Sequence, residues 1–436
     1  MQSKFQRTIG TRTLVTYYVA SVAGVGILIV PGIAAETAGP ASLLAWAALI
    51  LISYPFALVF ARMSMAYPDS GGPATFVGRA FGSRPGKTAA VLLVCTMVIG
   101  NPVMGIATAR YLQSLLGFPS GWPLLMIAFG MMVLSVLFNL LGLRFGSKVQ
   151  TASLLLLIVG LAGVVVFAFP HAQPEYLTPF APQGWLAIGS AAVVCFFSFL
   201  GWENASTMAE DVIDPERTFR RAVGWAVAIV GLLYLAFALA VVMVIPPQEL
   251  QGSITVLTAL LDIIGGPTAA RLGTVAAVAL LILATNAWVL GASRLVYSLS
   301  RDGVLPSPLS RVSATTGAPT IALLTLAAAY ALTIGTLVVT SSDERTLITF
   351  ANSSFLLIYL GAFAAGLKLF QARGTRALTW TALLGVLIFL PFFREGLIYA
   401  TTVAVVSYLL LRRFASKGDI SYAAHDPSSE EGDGRP

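Results

Sequence analysis

The sequence predicts an all-α membrane protein with 12 transmembrane helices, and its composition and its apolar runs both point to this fold class. Of the 436 residues, 57% are hydrophobic and only 10% are charged, whereas soluble domains carry about 25% charged residues. Apolar runs of about 20 residues, the length that crosses a bilayer as a helix, recur from Thr13 almost to Arg412. The chain is therefore expected to use the lipid bilayer as its solvent.

The apolar runs divide into twelve predicted spans separated by short polar segments. Their expected bounds are residues 13–38, 41–66, 88–112, 121–143, 148–169, 186–210, 222–245, 270–299, 318–340, 345–368, 376–392 and 397–412. If the N-terminus is cytoplasmic, 22 of the 26 Lys and Arg residues fall on the inside segments. The exceptions are Arg110, Arg271, Arg345 and Arg394. This bias follows the positive-inside rule, so both termini are expected in the cytoplasm.

Residues that could support enzyme or metal chemistry are scarce. Cys95 and Cys195 lie inside apolar runs, and His171 and His425 lie in a loop and in the tail, without the spacing of a metal site. The spans contain no paired catalytic carboxylates, no His-x-x-x-His pattern and no Ser–His constellation. The sequence therefore predicts no cofactor, no metal and no enzyme activity. The net charge of +7 is explained by topology and not by nucleic-acid binding.

Two spans carry a signal for a broken helix. The first contains SVAGVGIL at residues 21–28, in which Gly24 and Gly26 free the backbone to unwind, and Pro31 follows one turn later. The sixth contains FSFLGWEN at residues 197–204, in which Gly201 is followed by a carboxylate and an amide inside an apolar run. Unwound backbone at membrane depth persists only where protein, water or a bound ligand satisfies its polar groups. Both breaks therefore predict a binding site.

The two breaks lie five spans apart, as expected for two five-helix repeats of inverted topology with a substrate at their interface. The expected parts are a cytoplasmic N-terminus at 1–12, a first repeat at 13–170, a second repeat at 186–368, peripheral helices at 376–412 and a disordered tail at 413–436. A half-helix beginning near Gly26 would present N–H groups to a carboxylate. The carbonyls that could accept an ammonium group are those around Val22, Phe197 and Leu200. The alternative is that Gly24, Gly26 and Gly201 serve only close helix packing.

At these residues the chain resembles the amino acid–polyamine–organocation superfamily. The similar stretches are GVGILIVP at 24–31, YPDSGGP at 67–73, LGWE at 200–203, ED at 210–211, DPER at 214–217 and SRDGVLP at 300–306. Within the superfamily, the chain looks most like bacterial exporters of L-methionine and branched-chain amino acids. That likeness comes from PDSGG at 68–72, FVG at 76–78 and AFGSR at 80–84.

The resemblance implies a LeuT-like fold with ten core helices, two peripheral helices and alternating access. It places the substrate carboxylate at the backbone of Val25, Gly26 and Ile27, and the ammonium group at the carbonyls of Val22, Phe197 and Leu200. Val25 replaces a hydroxyl residue that many relatives have there. Phe197 and Trp288 align with aromatics that cap and floor the pocket, and Asn101 aligns with a side-chain-pocket position. Structural packing or helix–helix hydrogen bonding remains an alternative for each of these three.

Polar residues in the sixth and tenth spans are further candidates. Asn352, with Ser353 and Ser354, lies at a height where it could face the pocket, a gate or a neighbouring helix. Glu203 is the sharpest single candidate, because a carboxylate at the centre of a span costs about 3 kcal/mol and usually faces a cavity. It is expected either to sense or carry a proton, or to fix the unwound sixth span through hydrogen bonds.

The chemistry of this pocket predicts neutral, mostly apolar amino acids as substrates, because Glu203 is its only charged candidate. The fifth span has no lysine beyond Lys148, which weakens proton symport through that span, and sodium coupling has only Ser293 as a hydroxyl candidate. The expected function is export of methionine, leucine, isoleucine and valine from a bacterial cell (inner) membrane. An importer, an exchanger and a non-transporting sensor or accessory subunit remain alternatives, and the last two spans could mediate a homodimer.

Overall fold

The structure is a computed structural model that describes residues 9–67, 72–142, 147–204, 212–252 and 255–414. These residues fold into α-helices linked by turns and short 3-10 segments. The helices are α1 Thr11–Val22, α2 Val30–Ala38, α3 Ser42–Ala66, α4 Gly72–Phe81, α5 Ser83–Leu116, α6 Trp122–Leu140, α7 Ser147–Ala168, α8 Ala187–Cys195, α9 Pro215–Val244, α10 Val256–Arg301, α11 Thr320–Thr340, α12 Glu344–Leu369, α13 Arg373–Phe389 and α14 Arg394–Phe414. The β pairing found within those ranges is an isolated parallel bridge between Ile9 and Val212.

The predicted all-α membrane fold class is confirmed. Ten stretches within the described ranges are long and apolar enough to cross a membrane, and one of them, Val30–Ala66, joins α2 to α3 across a turn. The predicted first and sixth spans are each interrupted, so neither α1, with 12 residues, nor the apolar stretch Ala187–Phe199 is long enough alone. Both are shorter than the roughly 20 residues that cross a bilayer as one helix.

The long helix α10 is divided by a kink. A straight helix of its 46 residues would be about 69 Å long at 1.5 Å per residue, more than twice the hydrocarbon thickness of about 30 Å. Gly266 adopts φ +69° and is followed by Pro267. The first part, which ends at this kink, was not predicted from the sequence, while the second part contains the predicted span 270–299.

Helix α4 is a second element that the sequence analysis did not predict. Residues 67–87 separate two predicted spans and no helix is predicted there, but α4 begins at Gly72 and packs against α5 and α12. Pro73 lies at its first turn, where a missing backbone N–H costs nothing. Residues 68–71 of the PDSGG stretch lie outside the described residues.

Helix packing places both broken spans at the centre of the molecule. Helix α1 packs against α9, α2 packs against α8, and α10 and α12 both pack against α5. Residues 26–35 are buried on every side, as expected for a helix that is apolar all round. The half-helix after the first break is therefore held inside the bundle.

Some sequence predictions fall outside the described residues. These include the N-terminal segment up to residue 8, Glu210 and Asp211 of the sixth-span loop, and the tail from residue 415 onward.

Candidate functional site

The first predicted break is present between α1 and α2. Helix α1 ends at Val22, and Gly24 is extended with φ −84° and ψ −178°. The chain then makes one 3-10 turn over Val25–Leu28 before α2 begins. The Gly24 N–H bonds the Val22 carbonyl at 2.6 Å instead of continuing the helical pattern. The helix is therefore unwound at the glycine pair that predicted it.

The second predicted break is present after α8. A 3-10 turn over Phe196–Phe199 follows α8, Leu200 is extended, and Gly201 adopts φ +120°. L-residues rarely adopt such a positive φ, so this position requires glycine. A Cβ built on Gly201 would lie 2.5 Å from the Ser21 carbonyl oxygen. The two breaks are therefore in direct contact.

Glu203 bonds the unwound backbone of the second break. Its carboxylate oxygen Oε2 accepts the Gly201 N–H at 3.1 Å and also accepts the hydroxyl of Tyr359 on α12. The Tyr359 ring is packed among Phe56, Phe60 and other aromatic rings. Glu203 therefore forms a hydrogen-bonded bridge from the second break to α12. This arrangement corresponds to the structural role that the sequence analysis gave as one of two alternatives.

The carbonyl groups at the breaks differ in how far they are already bonded. The Val22 carbonyl accepts the Tyr234 hydroxyl at 2.8 Å as well as the Gly24 N–H, so both of its lone pairs are used. By contrast, no donor from the described ranges bonds the carbonyl of Phe197 or of Leu200. Of the three carbonyls named in the sequence analysis, those of Phe197 and Leu200 are therefore the ones without a donor in the described part of the chain.

A cavity of about 270 Å³ lies at the junction of the breaks. The first turns of α7 line it, and Val149 and Gln150 there are exposed, as are Ala20 of α1 and Ala287 of α10. No acidic or basic side chain is among its lining residues, all of which belong to the described ranges. The lining residues are Ala20, Ser21, Val22, Ala23, Gly24, Gly26, Met104, Val149, Gln150, Ser153, Leu154, Leu157, Phe197, Ser198, Leu200, Leu280, Leu283, Ala284, Asn286, Ala287, Trp288 and Leu290.

The structure brings about half of the predicted site residues to this cavity. Those that line it are Val22, Gly24, Gly26, Phe197, Leu200 and Trp288. Gly201 lies beside it against Ser21, and Ile27 is buried without lining it. Val25 contributes its backbone to the 3-10 turn.

The two predicted asparagines are bonded to neighbouring helices instead. The Asn101 side-chain amide donates to the Tyr330 hydroxyl at 2.8 Å, while Asn101 lines a much smaller void beside Phe197 and Trp288. The Asn352 side-chain amide donates to the Val193 carbonyl at 2.7 Å, and Asn352 does not line the cavity. Both contacts are of the interhelical type that the sequence analysis named as the alternative.

Sequence reasoning did not predict the polar residues of the cavity wall, of which Ser198 and Asn286 are buried. Ser198 is 3% exposed, and its hydroxyl has no hydrogen-bond partner among the described residues. Asn286 of α10 is joined to Asn139 of α6 by an amide hydrogen bond of 2.9 Å. A hydroxyl in an apolar run directly before the Gly201 break was the signal available for Ser198.

Beyond the first break, ion pairs join the end of α2 and α5 to the start of α12. Glu36, near the end of α2, pairs with Arg345 of α12 and also accepts the Gly252 N–H at 3.1 Å. Arg110 of α5 pairs with Glu344 at 3.3 Å. The bundle is thus cross-linked at this end, while the cavity is lined by the start of α7.

Comparison with known proteins identifies relatives along almost the whole chain. The amino acid permease family matches residues 9–420. The chain is 28% identical over 416 residues to an uncharacterized amino acid permease, YecA, of Bacillus subtilis, covering 94% of this chain and 97% of that protein. It is 29% identical over 368 residues to the L-methionine/branched-chain amino acid exporter YjeH of Escherichia coli, covering 81% and 84% respectively.

A third relative is named as a branched-chain amino acid permease. The chain is 24% identical over 328 residues to BcaP of Bacillus subtilis, covering 71% of this chain and 70% of that protein. The family and these relatives are transporters, which confirms the expectation of a transporter and the resemblance inferred from the sequence. With two broken spans meeting at a cavity and a family match along residues 9–420, this chain belongs to the amino acid permease family.

Proposed function

We propose that this protein is a secondary active transporter of neutral, mostly apolar L-amino acids, with methionine, leucine, isoleucine and valine as its substrates. The observation that supports this most directly is the cavity at the junction of the breaks, which has an uncharged, largely apolar wall. A charged substrate side chain entering such a wall would lose hydration without gaining a partner. An apolar side chain gains free energy as its surface leaves water.

In this proposal, the backbone of the two breaks binds the two charged groups of the substrate. The carboxylate lies at the N–H groups of the turn that begins at Val25, together with Gly26 and Ile27. The ammonium group lies at the carbonyls of Phe197 and Leu200, which have no donor in the described structure. The Val22 carbonyl, which the sequence analysis also assigned to the ammonium group, becomes available only if Tyr234 moves away.

The proposed topology has twelve spans and two inverted five-helix repeats. The twelve spans comprise α1 with α2, α3, α5, α6 and α7, then α8 with its turn, and α9 to α14. Four spans precede α7, so its first turn lies on the same side as the N-terminus. With the N-terminus in the cytoplasm, as the positive-inside rule indicates, the cavity opens to the cytoplasm and the Glu36–Arg345 pair closes the outer side.

The proposed direction is export, and the similarity to YjeH supports it. The alternative is uptake or exchange of the same amino acids, and the likeness to BcaP, named a branched-chain amino acid permease, is compatible with either direction. Both share one binding site and differ in the coupling energetics. Glu203 is the proposed coupling residue, because it is a carboxylate bonded to the backbone whose conformation must change when the cavity opens to the other side.

Counterflow in proteoliposomes tests the substrate class. Purified protein would be loaded with internal leucine and presented with radiolabelled methionine, leucine, isoleucine or valine, with arginine and glutamate as controls. The proposal expects saturable uptake of the neutral set that depends on internal amino acid. Uptake of arginine or glutamate alone would contradict the substrate class. A folded protein that moves no amino acid would favour the sensor or accessory-subunit alternative.

A further inference from the structure

We propose that the hydroxyl of Ser198 binds the substrate carboxylate from the second break, as the side-chain donor of the site. This inference rests on the proposed function, because it assigns a residue to the binding of a zwitterionic amino acid. Ser198 lies in the 3-10 turn between α8 and Gly201 and lines the junction cavity.

The first observation is that the Ser198 hydroxyl is buried and unsatisfied. The residue is 3% exposed, and the oxygen has no hydrogen-bond partner in the described part of the chain. Burying a hydroxyl without a partner costs free energy, so such groups in native proteins call for an explanation. By contrast, the hydroxyl of Ser153, on the same cavity wall, already donates to the Val149 carbonyl at 2.8 Å.

The second observation is where this hydroxyl lies relative to the first break. A Cβ built on Gly26 would be 3.0 Å from the Ser198 hydroxyl oxygen and 3.4 Å from the Ser198 Cα. The hydroxyl therefore faces the turn that begins at Val25. Valine and glycine at positions 25 and 26 supply no side-chain donor there, so the adjacent Ser198 provides the donor that this turn lacks.

The chemistry of the surrounding groups favours the carboxylate over the ammonium group. The carbonyls of Phe197 and Leu200, which have no donor among the described residues, are acceptors that suit the N–H donors of an ammonium group. A carboxylate needs donors, and a hydroxyl bonded to an ionised oxygen forms a short, charge-assisted hydrogen bond. The described cavity wall has no cation to compete for that role.

The test is equilibrium binding of L-leucine and of L-leucinamide, which lacks the carboxylate, to wild type and Ser198→Ala. Competition against radiolabelled leucine gives both affinities. We expect Ser198→Ala to weaken leucine binding about 10-fold or more, the range for a hydrogen bond to a charged group. Leucinamide binding should weaken much less. Ser198→Cys, of similar size but with a weak donor, should behave like Ser198→Ala.

Ser64→Ala is the matched control for loss of a buried serine hydroxyl. Ser64 is 1% exposed, bonds the Phe60 carbonyl at 2.7 Å and lies away from the cavity. The Ser64→Ala variant should bind leucine with the affinity of wild type. Because the Ser198 hydroxyl is unsatisfied, Ser198→Ala should melt no lower than wild type, so a loss of binding would not come from unfolding.

Three outcomes would overturn the inference. If wild type and Ser198→Ala bind leucine equally well, the Ser198 hydroxyl does not bind the substrate, and the proposed function is left intact. An equal loss for leucine and leucinamide would assign the hydroxyl to another part of the substrate. Folded wild type that binds no neutral amino acid would contradict the proposed function and this inference together.

Discussion

Gly201 lies against the carbonyl of Ser21, so that a Cβ at position 201 would be 2.5 Å from the carbonyl oxygen and 3.0 Å from the carbonyl carbon. The two helix breaks, far apart in the sequence, are therefore in backbone contact. Gly201 also adopts φ +120°, which L side chains rarely accept. This contact makes the breaks a single structural unit beside the cavity.

Gly201→Ala should disrupt this unit, because the new methyl group overlaps backbone and the backbone is strained at positive φ. We expect at least a 10-fold loss of transport and a lower melting temperature in a thermal-shift assay. Gly160→Ala is the control, because Gly160 lies in α7 with nothing within 4 Å of a new Cβ. Equal behaviour of the two variants would contradict the backbone contact.

Gly26 and Gly24 should differ in their tolerance of alanine although both belong to the first break. A Cβ at Gly26 meets Ser198 at 3.0 Å and Phe197 at 3.5 Å, whereas a Cβ at Gly24 has its nearest neighbour, the Val22 carbonyl oxygen, at 3.8 Å. Gly26→Ala should therefore weaken leucine binding, measured by competition, much more than Gly24→Ala. A larger effect at Gly24 would mean that the contact of Gly26 with the second break does not shape the binding site.

Removing the Glu203 side chain should cost more stability than neutralising it. Glu203→Ala leaves the Gly201 N–H and the Tyr359 hydroxyl without their acceptor, at a cost of about 1–3 kcal/mol for each buried group. Glu203→Gln keeps a carbonyl oxygen that can accept one of them. In thermal-shift measurements, Glu203→Ala should melt below Glu203→Gln, and both should melt below wild type. A wild-type melting temperature for Glu203→Ala would argue against the bridge to α12.

The coupling role of Glu203 predicts a change in pH dependence. A glutamine at 203 cannot bind or release a proton, so Glu203→Gln should exchange leucine at a rate that no longer responds to a pH step across the proteoliposome membrane. Tyr359→Phe, which removes one hydrogen bond but keeps the carboxylate, should retain the response. An unchanged pH response in folded Glu203→Gln would limit Glu203 to its structural role.

The Glu36–Arg345 pair should favour the state in which its end of the bundle is closed. A partly exposed ion pair contributes up to about 1 kcal/mol, enough to shift a two-state population about five-fold. Glu36→Gln should therefore speed the labelling, by a membrane-impermeant thiol reagent, of a cysteine placed at Ala35 in a background without Cys95 and Cys195. Asp302→Asn, which removes the acidic partner of the exposed Arg301–Asp302 pair, should not change the labelling rate. Equal labelling rates in all three proteins would contradict a closing role.

The positions of both breaks could be predicted from the sequence because their cause is local. Glycine pairs, a proline and a carboxylate inside apolar runs mark where a helix ends or unwinds, and the structure unwinds at Gly24 and Gly201. The start of α4 at Gly72 could not be predicted in this way. That short helix packs on α12 as well as on the adjacent α5, and α12 is far from it in the sequence.

Side-chain partners were the part that sequence patterns could not supply. The rarity of an amide in an apolar run identified Asn101 and Asn352 as unusual, but gave no direction in which their side chains point. In the structure they bond Tyr330 and the Val193 carbonyl. Tyr359 reaches Glu203 from a helix 156 residues away, and no local spacing records that contact. The family resemblance implied the chemistry of the breaks but not these partners.

The most direct test of the central claim is an electron cryo-microscopy structure of the full-length protein with saturating L-leucine. The proposal predicts density for leucine in the cavity at the junction of the breaks. Its carboxylate should face the turn that begins at Val25, and its ammonium group should face the Phe197 and Leu200 carbonyls. Leucine bound elsewhere, with this cavity empty in a protein that transports leucine, would contradict the account.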